Sequence, residues 1–363
     1  MTTAHDTLHS ITVRPLLVPL RRPLVVASGQ VEHAPLIAVD LRGENGAHGL
    51  GYIFTYTPAA LAPTARLIEE MGQLLIGQSL APYDIERLIS ARFKLLGVTG
   101  LVTMAMAAID MAAWDAVAKL ADLPLARYLG GSCQALPAYN SNGLGIIGAS
   151  AAAKEAEELV DEGFQAIKLR LGYPTLAEDL AVVDAVRRAV GSEIAIMTDY
   201  NQSLTYAEAK TRVLALDHVG LTWIEEPLPS DDLAGHARLR AAARTPIQLG
   251  ENFWSPRELA RALEVGAGDH YMPDLMKIGG PTAWLRAAAL AEPQGIPISC
   301  HLFPDLSAHL LAVTPTRQWV EFVDWAEPIR DSPIAREAGT LVIEEKPGFG
   351  LAWDETALSR YAA

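Results

Sequence analysis

The chain contains only two cysteines among its 363 residues, Cys133 and Cys300, and they lie far apart in the sequence. Two distant cysteines provide no disulfide framework of the kind that stabilises small secreted domains. The first ten residues, MTTAHDTLHS, also lack the basic segment and the apolar stretch of a secretory signal. We therefore expect a protein of the reducing cytoplasm.

The sequence also lacks an obvious membrane span and an excess of positive charge. No apolar run reads as long enough to cross a bilayer, although 50% of the residues are hydrophobic. Lysine and arginine number 29 against 43 acidic residues, which gives a net charge of −14. This balance argues against a nucleic-acid surface. We expect a well-buried globular protein that binds neither nucleic acid nor membrane and that has room for a barrel and an added domain.

The beginning of the chain differs in pattern from the rest. Strand-like segments at 10–19 and 35–42 are followed by the turn residues GENG at 43–46, which is typical of antiparallel strands. Helical patterns then follow at 59–77, 82–94 and 102–120. We predict a first α+β domain over residues 1–132.

Strands and helices alternate strictly after Gly130-Gly131. The helical patterns lie at 150–162, 176–190, 206–216, 232–243, 256–265, 282–292 and 306–313. Strict alternation predicts a parallel sheet, and this many units favour a βα barrel over an open sheet. We predict an α/β fold with the barrel over 133–335. The tail, 336–363, contains a strand-like TLVIEE, and we expect it to return to the first domain.

Three acidic residues recur with an even spacing in the barrel. Asp199, Glu225 and Glu251 are each 26 residues apart, and each follows a short apolar run. That period is about one strand, one helix and two turns, so the carboxylates converge if the strands are parallel neighbours. Converging carboxylates are costly unless a cation compensates them, and hard oxygen ligands suit Mg²⁺. The spacing therefore predicts a magnesium site.

Polar residues end every predicted barrel strand, at the end of a barrel where active sites lie. They are Lys168, Arg170, Asp199, Asn201, Glu225, Glu251, Asp274, His301 and Glu321. Because side chains alternate along a strand, Glu225 and Glu226 must point in opposite directions, and the spacing favours Glu225 as the ligand. His301 and Asp274 end consecutive strands, and a carboxylate on one imidazole nitrogen makes the other a better base.

Stretches across nearly the whole chain, from about residue 18 to 350, carry a family resemblance. They are APLIAVDL, IDMAAWDA, MTDYNQSL, TWIEEP, MPDLMKIGG and HLFPDLSAHLLA. Together they resemble the mandelate racemase subgroup of the enolase superfamily. The resemblance implies a modified TIM barrel, (β/α)7β, whose mouth is covered by the α+β domain as a cap. It also implies a homo-oligomer, with an octamer as one form, and a small-molecule carboxylate as substrate.

The resemblance implies a role for most of the strand-end residues. Asp199, Glu225 and Glu251 look like the Mg²⁺ ligands, and His301 with Asp274 looks like the base dyad on one face of the substrate. These enzymes abstract the α-proton of a carboxylate through an enediolate that Mg²⁺ stabilises.

The resemblance assigns five further residues. Lys168 looks like the first lysine of the family's Lys-x-Lys motif, which neutralises the substrate carboxylate. Glu321 looks like the protonated acid that hydrogen-bonds the enediolate. Asn201 and Ser141 look like substrate contacts, and Lys277 matches a lysine behind the ligands.

Arg170 departs from the racemase pattern, which has a second lysine there as the base on the opposite face. Arginine is a poor base because its pKa lies above ~12. We expect a 2-hydroxy carboxylate racemase or epimerase. The alternatives are an acid-sugar dehydratase with His301 as the single base, and a catalytically silent homologue.

The segment RRPLVVASGQVEH, about 21–33, aligns with the family's substrate flap. Its apolar residues, with others that follow in the cap and beside the histidine, predict an apolar pocket wall. They are Leu24, Val26, Val31, Phe54, Tyr56 and Leu302. Such a wall favours an aryl or alkyl 2-hydroxy acid, because unpaired hydroxyls are costly to bury.

Overall fold

An antiparallel meander opens the chain in the computed structural model, which describes residues 6–26 and 29–363, with the Val26 side chain outside that description. Strand β1 (Leu8–Val26) pairs with β2 (Gly29–Gly43), and β2 pairs with β3 (His48–Phe54). The predicted turn at 43–46 joins β2 to β3. The β1–β2 hairpin is much longer than predicted, and its far end carries the flap towards the barrel.

Helices pack against this sheet to complete the cap. They are α1 (Pro58–Leu75), α2 (Pro82–Arg92), α3 (Leu101–Leu120) and α4 (Leu125–Tyr128). Strand β3 lies very close to α3, since a Cβ added at Gly49 would sit 1.8 Å from the carbonyl oxygen of Ala112. Glycine is needed there because no side chain fits between strand and helix.

The expectation that no apolar run could span a bilayer needs correction for α3. Within the described residues this helix is long and apolar enough by composition, with a hydropathy of 1.5 over its most apolar window. However, 89% of that window is buried inside the protein. Helix α3 is therefore the core helix of the cap, packed between the meander and the barrel.

The barrel strands and helices lie between Ala135 and Phe322, all of them described. The helices are α5 (Ala149–Asp161), α6 (Leu176–Val190), α7 (Tyr206–Leu216), α8 (Leu233–Ala242), α9 (Pro256–Val265), α10 (Gly280–Ala291) and α11 (Pro304–Leu311). The strands are β4 (Ala135–Asn140), β5 (Ala166–Arg170), β6 (Ala195–Asp199), β7 (Ile224–Glu225), β8 (Ile247–Leu249), β9 (His270–Tyr271) and β10 (Val320–Phe322).

The strands run parallel in chain order and close on themselves. Segment 298–301 makes single bridges to its neighbours at Ile298 and His301, and β10 pairs with β4. Counting that segment gives eight strand positions and seven helices within 133–335. The fold is thus the predicted modified TIM barrel, (β/α)7β, with an α+β N-terminal cap.

Two predicted strands are shorter than expected. The strand predicted to end at Asp274 pairs regularly only at β9, and the one predicted to end at His301 makes only the isolated bridges. Both segments leave the ladder as they approach the mouth, where Leu302 and Phe303 take positive φ values of 53° and 50°. The strand ends therefore bend, and this bending decides where their last side chains point.

The tail contacts both parts of the molecule. Strands β11 (Arg336–Glu337) and β12 (Thr340–Val342) form a hairpin, and β12 pairs with β4 of the barrel. Helix α12 (Glu355–Arg360) follows, and beyond it the Leu17 backbone N–H donates to the Tyr361 carbonyl at 2.8 Å. We retain as a proposal the division into 1–132, 133–335 and 336–363.

Candidate active site

Three carboxylates from neighbouring strands meet at the mouth of the barrel. Asp199 ends β6, Glu225 ends β7 and Glu251 follows β8, and one oxygen of each lies within 4.8 Å of the others. All three side chains are buried. The 26-residue spacing therefore corresponds to convergence in space.

Burial and mutual repulsion make this group unfavourable without a counter-charge. Burial raises the pKa of Asp199 and Glu225, and repulsion from Glu251 adds to the rise, while Lys168 opposes it. A divalent cation removes this cost, because it keeps all three groups ionised. The geometry and the all-oxygen donor set fit Mg²⁺.

Glu226 lies just past β7 and is not one of the three grouped carboxylates. Its Oε2 accepts a hydrogen bond from Asn252 Nδ2 at 2.6 Å, and Asn252 Nδ2 also reaches Glu251 Oε1 at 3.2 Å. Lys277 Nζ donates to Asn252 Oδ1 at 2.6 Å. Glu226 and Lys277 thus support the carboxylate group from behind, through an asparagine that the sequence patterns did not reveal.

Lys168 is a buried cation among carboxylates. Its Nζ lies 2.7 Å from Glu225 Oε1, 2.7 Å from Glu321 Oε1 and 3.7 Å from Asp199 Oδ2. Burial lowers the pKa of Lys168, but the surrounding carboxylates outweigh burial and raise it above its ordinary value. Lys168 is therefore a buried, charge-paired cation at the mouth.

His301 and Asp274 form the predicted dyad. His301 Nδ1 lies 2.7 Å from Asp274 Oδ2, and His301 Nε2 faces Glu251 Oε2 at 3.4 Å and Glu321 Oε2 at 3.9 Å. Burial lowers the pKa of His301, but the carboxylates of Glu251, Glu321 and Asp274 outweigh burial and raise the pKa above its ordinary value. The free nitrogen, Nε2, is directed into the site.

The expectation that Glu321 is protonated does not match this geometry. Burial raises the pKa of Glu321, but the charges of Lys168 and His301 outweigh it and hold the pKa well below its ordinary value. Its Oε2 also accepts the Leu302 backbone N–H at 2.8 Å. Lys168 and His301 thus favour the ionised form of Glu321 in this arrangement, and the protonated form that the resemblance implies stays a prediction.

Arg170 is anchored to the loop that follows β4. Its Nη1 donates to the carbonyl oxygens of Ser141 at 2.8 Å and Gly143 at 3.0 Å, and its Nη2 donates to Ser141 Oγ at 2.8 Å. A substrate contact at Ser141 stays a prediction, since in this structure its hydroxyl accepts from Arg170. Ser141 is fully buried and anchors the guanidinium.

A cavity of about 300 Å³ opens above these residues. Its lining among the described residues consists of Leu24, Val31, Phe54, Tyr56, Lys168, Arg170, Asp199, Asn201, Gln202, Glu251, Asn252, Lys277, His301, Leu302, Glu321 and Trp325. Glu225 and Asp274 lie beneath this lining. The flap thus contributes Leu24 and Val31 to one wall, while the predicted contact Val26 has its side chain outside the described part of the chain.

Gln202, Asn252 and Trp325 were not predicted. Gln202 directly follows the predicted residue Asn201, and Asn252 directly follows Glu251. Their positions next to predicted strand-end residues could have identified them. Trp325 lies three residues beyond β10 and carries no motif. Tyr56 was predicted as part of an apolar wall, but its hydroxyl donates to Asp274 Oδ2 at 3.3 Å.

Two family models match the chain. Residues 9–130 match the mandelate racemase / muconate lactonizing enzyme N-terminal domain, and residues 151–357 match the enolase C-terminal domain-like model. The chain belongs to the enolase superfamily. Within it, the N-terminal match places the protein in the mandelate racemase/muconate lactonizing enzyme group.

Similar enolase superfamily members have been solved with ligands. An enolase from alpha proteobacterium BAL199 with bound magnesium is 41% identical, covers 98% of this chain and 99% of its own, and superposes with a TM-score of 0.97. A Bradyrhizobium enolase complexed with magnesium and mandelic acid is 42% identical, covers all of both chains and has a TM-score of 0.95.

Relatives with named activities span two reaction classes. The L-talarate/galactarate dehydratase of Salmonella typhimurium is 31% identical over 358 residues, which are 96% of this chain and 88% of that protein. Others are epimerases and racemases. This enolase superfamily protein is accordingly a magnesium-dependent isomerase or hydro-lyase, and its relatives bind small carboxylates.

Proposed function

We propose that the protein removes the α-proton of a 2-hydroxy carboxylate with His301 as its single base, and that a β-hydroxyl then leaves as water. The observation that carries this proposal is the anchoring of Arg170. Its guanidinium already donates hydrogen bonds to Ser141 and Gly143. Arginine is also effectively always protonated, so it is a poor base. Lys168, the other basic residue of β5, is already paired with Glu225 and Glu321.

In the proposed mechanism, Asp199, Glu225 and Glu251 hold Mg²⁺, which supplies Lewis-acid stabilisation of the charge that grows on the substrate carboxylate. Lys168 neutralises the same carboxylate. His301 Nε2 takes the α-proton, and Asp274 holds the imidazole through Nδ1 and stabilises the imidazolium. The proton on His301 then leaves with the β-hydroxyl as water, and the enol product becomes a 2-keto acid.

The lining of the cavity supports a substrate with hydroxyl groups. The cavity lining includes the polar residues Arg170, Asn201, Gln202 and Asn252. The sequence had predicted neither Gln202 nor Asn252 there. A site built with polar groups favours substrates that pair with them, because unpaired polar groups are costly when buried. We therefore place acid sugars ahead of aryl acids as substrates.

Racemisation of an aryl 2-hydroxy acid is the second candidate. The apolar residues of the cavity lining are Leu24, Val31, Phe54, Leu302 and Trp325. The Bradyrhizobium relative complexed with mandelic acid also favours this candidate. Racemisation needs a proton donor on the face opposite His301, which Arg170 supplies poorly.

Product analysis in D₂O tests the proposal. The magnesium-loaded protein is incubated with galactarate, with talarate, and separately with (R)- and (S)-mandelate, and the α-proton signal is followed by NMR. A 2-keto product trapped with semicarbazide from an acid sugar, and lost in His301→Asn, is the expected result. Inversion of both mandelate enantiomers would instead establish the second candidate.

The assembly and compartment of the protein are further proposals. By resemblance we propose a homo-oligomer in the cytoplasm. Light scattering on the purified protein tests the first part, since a homo-oligomer has a mass that is a multiple of 39.0 kDa.

A further inference from the structure

Tyr56 occupies a strained turn between the cap and the mouth of the barrel. Its φ is +59°, and the Thr57 backbone N–H donates to the Thr55 carbonyl at 2.6 Å, which makes a three-residue turn after β3. A left-handed conformation is strained for a residue other than glycine and persists where surrounding contacts impose it. The contacts of this side chain are therefore informative.

The hydroxyl of Tyr56 reaches the carboxylate of the proposed base dyad. It donates to Asp274 Oδ2, the same oxygen that lies 2.7 Å from His301 Nδ1. The other oxygen, Oδ1, accepts the backbone N–H groups of Met276 and Lys277, both at 2.8 Å. The backbone thus fixes Oδ1, while Oδ2 contacts both His301 of the barrel and Tyr56 of the cap.

The ring of Tyr56 is held on two sides. The Phe54 ring centroid lies 4.7 Å away, and Lys277 Nζ lies 4.2 Å from the centre of the Tyr56 ring. The residue is 36% exposed, so the ring forms part of the cavity rim while its hydroxyl turns inward. Burial of the hydroxyl and the charge of Asp274 raise the pKa of Tyr56 well above its ordinary value, so it remains a donor at neutral pH.

We propose that Tyr56 is a positioning residue that orients His301 through Asp274 Oδ2 and thereby makes the base depend on the cap. This inference rests on the proposed function, in which His301 takes the α-proton. Without the hydroxyl, Asp274 Oδ2 keeps only the imidazole as a partner, and the ring is free to tilt. Small misplacements of a reacting group are costly, since about 1 Å can cost about 100-fold in rate.

The test is Tyr56→Phe, which removes the hydroxyl and keeps the ring against Phe54 and Lys277. With the magnesium-loaded protein we expect kcat for α-proton exchange to fall about tenfold, with KM changed less than about twofold. The deuterium isotope effect on kcat should increase, because proton abstraction becomes slower relative to the other steps. Tyr83→Phe, on an exposed tyrosine of α2, is the matched control and should leave all three quantities unchanged.

Three results would overturn the inference. An unchanged kcat and isotope effect would mean that the hydroxyl has no role. A lower kcat with an unchanged isotope effect would mean fewer correctly folded molecules. A higher KM with unchanged kcat would make Tyr56 only a wall of the substrate cavity. The probes are galactarate, (R)-mandelate and (S)-mandelate, each with its α-deuterated form.

A measurement without substrate separates this inference from the proposed function. The proton on His301 Nδ1 gives a downfield NMR signal when it is hydrogen-bonded to a carboxylate, and His301→Asn identifies it. Tyr56→Phe should shift this signal, and Tyr83→Phe should not. If no probe exchanges in the wild type, the proposed function fails, whereas an unshifted signal overturns the role of Tyr56.

Discussion

Arg170 is the residue on which the choice of reaction depends. Replacing it with lysine, Arg170→Lys, restores the Lys-x-Lys pattern. It introduces a buried amine whose pKa desolvation can lower, so that the neutral amine can accept a proton near pH 7. We expect the rate of α-proton exchange to rise about 100-fold for the mandelate enantiomer that the wild type exchanges more slowly. This is the size of a general-base contribution. NMR in D₂O on each enantiomer measures it. No gain, with exchange from the His301 side intact, would contradict this assignment.

The carboxylate group makes a separate prediction about metal binding. Glu225→Gln removes a proposed ligand while keeping its shape, and we expect Mg²⁺ affinity to fall at least about tenfold, since even residues behind a ligand contribute about 10–100-fold. Calorimetric titration of Mg²⁺ measures the loss. Glu193→Gln, on an exposed side chain outside the site, is the control. Equal affinities in both variants would contradict the proposed ligand set.

The strand-end rule predicted which residues gather but not where all of them point. Spacing alone brought Asp199, Glu225 and Glu251 together. It gave no indication of the Arg170–Ser141 hydrogen bond or of the Tyr56 hydroxyl in the site, because these depend on an anchored guanidinium and on a turn with positive φ. Such contacts are set by tertiary packing, which side-chain alternation does not encode.

At the scale of the elements, the flap is held by one arginine. Arg22 on β1 lies 3.0 Å from Glu162, 3.5 Å from Glu158 and 3.8 Å from Glu155, all on or next to α5. The Ile146 backbone N–H also donates to the Val25 carbonyl at 2.8 Å. These contacts place Leu24 in the cavity wall.

Arg22→Met should therefore loosen the flap. We expect KM to rise about fivefold, equivalent to a loss of ~1 kcal/mol for a partly exposed ion-pair cluster, while kcat changes little. Salt should raise KM of the wild type and have less effect on the variant, because ions screen the same contact. Steady-state kinetics from low to high NaCl measure both. Arg66→Met, on the exposed face of α1, is the control. If KM of Arg22→Met responded to salt as strongly as KM of the wild type, Arg22 would not be what holds the flap.

Element boundaries were predictable where a pattern was long. The helices predicted at 176–190, 206–216 and 256–265 match the structure because their apolar periodicity spans several turns. Strand β4 was not recognised, since ALPAYN shows no clear alternation and contains a proline. Segment 298–301 forms only bridges because it bends towards Leu302.

At the scale of the molecule, a buried acid joins cap to barrel. Asp110 on α3 accepts the Thr282 backbone N–H at 2.9 Å and the Thr282 hydroxyl at 2.7 Å, at the start of α10. Burial, opposed by these hydrogen bonds, raises the pKa of Asp110 to about 7. The folded protein therefore retains this proton when the unfolded chain has lost it.

Stability should accordingly fall as pH rises through this range. The contribution of protonated Asp110 is fully present below the unfolded pKa of 3.8 and is lost as pH rises to about 7, at up to ~1.4 kcal/mol per pH unit. Asp110→Asn should remove this slope, so its advantage in free energy of unfolding grows with pH. Urea unfolding from pH 4.5 to 8 measures it, with Asp161→Asn as the exposed control. Parallel profiles for Asp110→Asn and the wild type would show that Asp110 does not titrate in this way.

The last residues of the chain have a consequence for how the protein is made. The Ala363 backbone N–H donates to the Pro15 carbonyl, and Tyr361 accepts from Leu17, so the edge of β1 is covered by chain synthesised some 340 residues later. Ribosomes add about 5–20 residues per second, so this edge waits uncovered for tens of seconds. During that time an unpaired strand is available to other nascent chains. The cap is made before the barrel but finished after it.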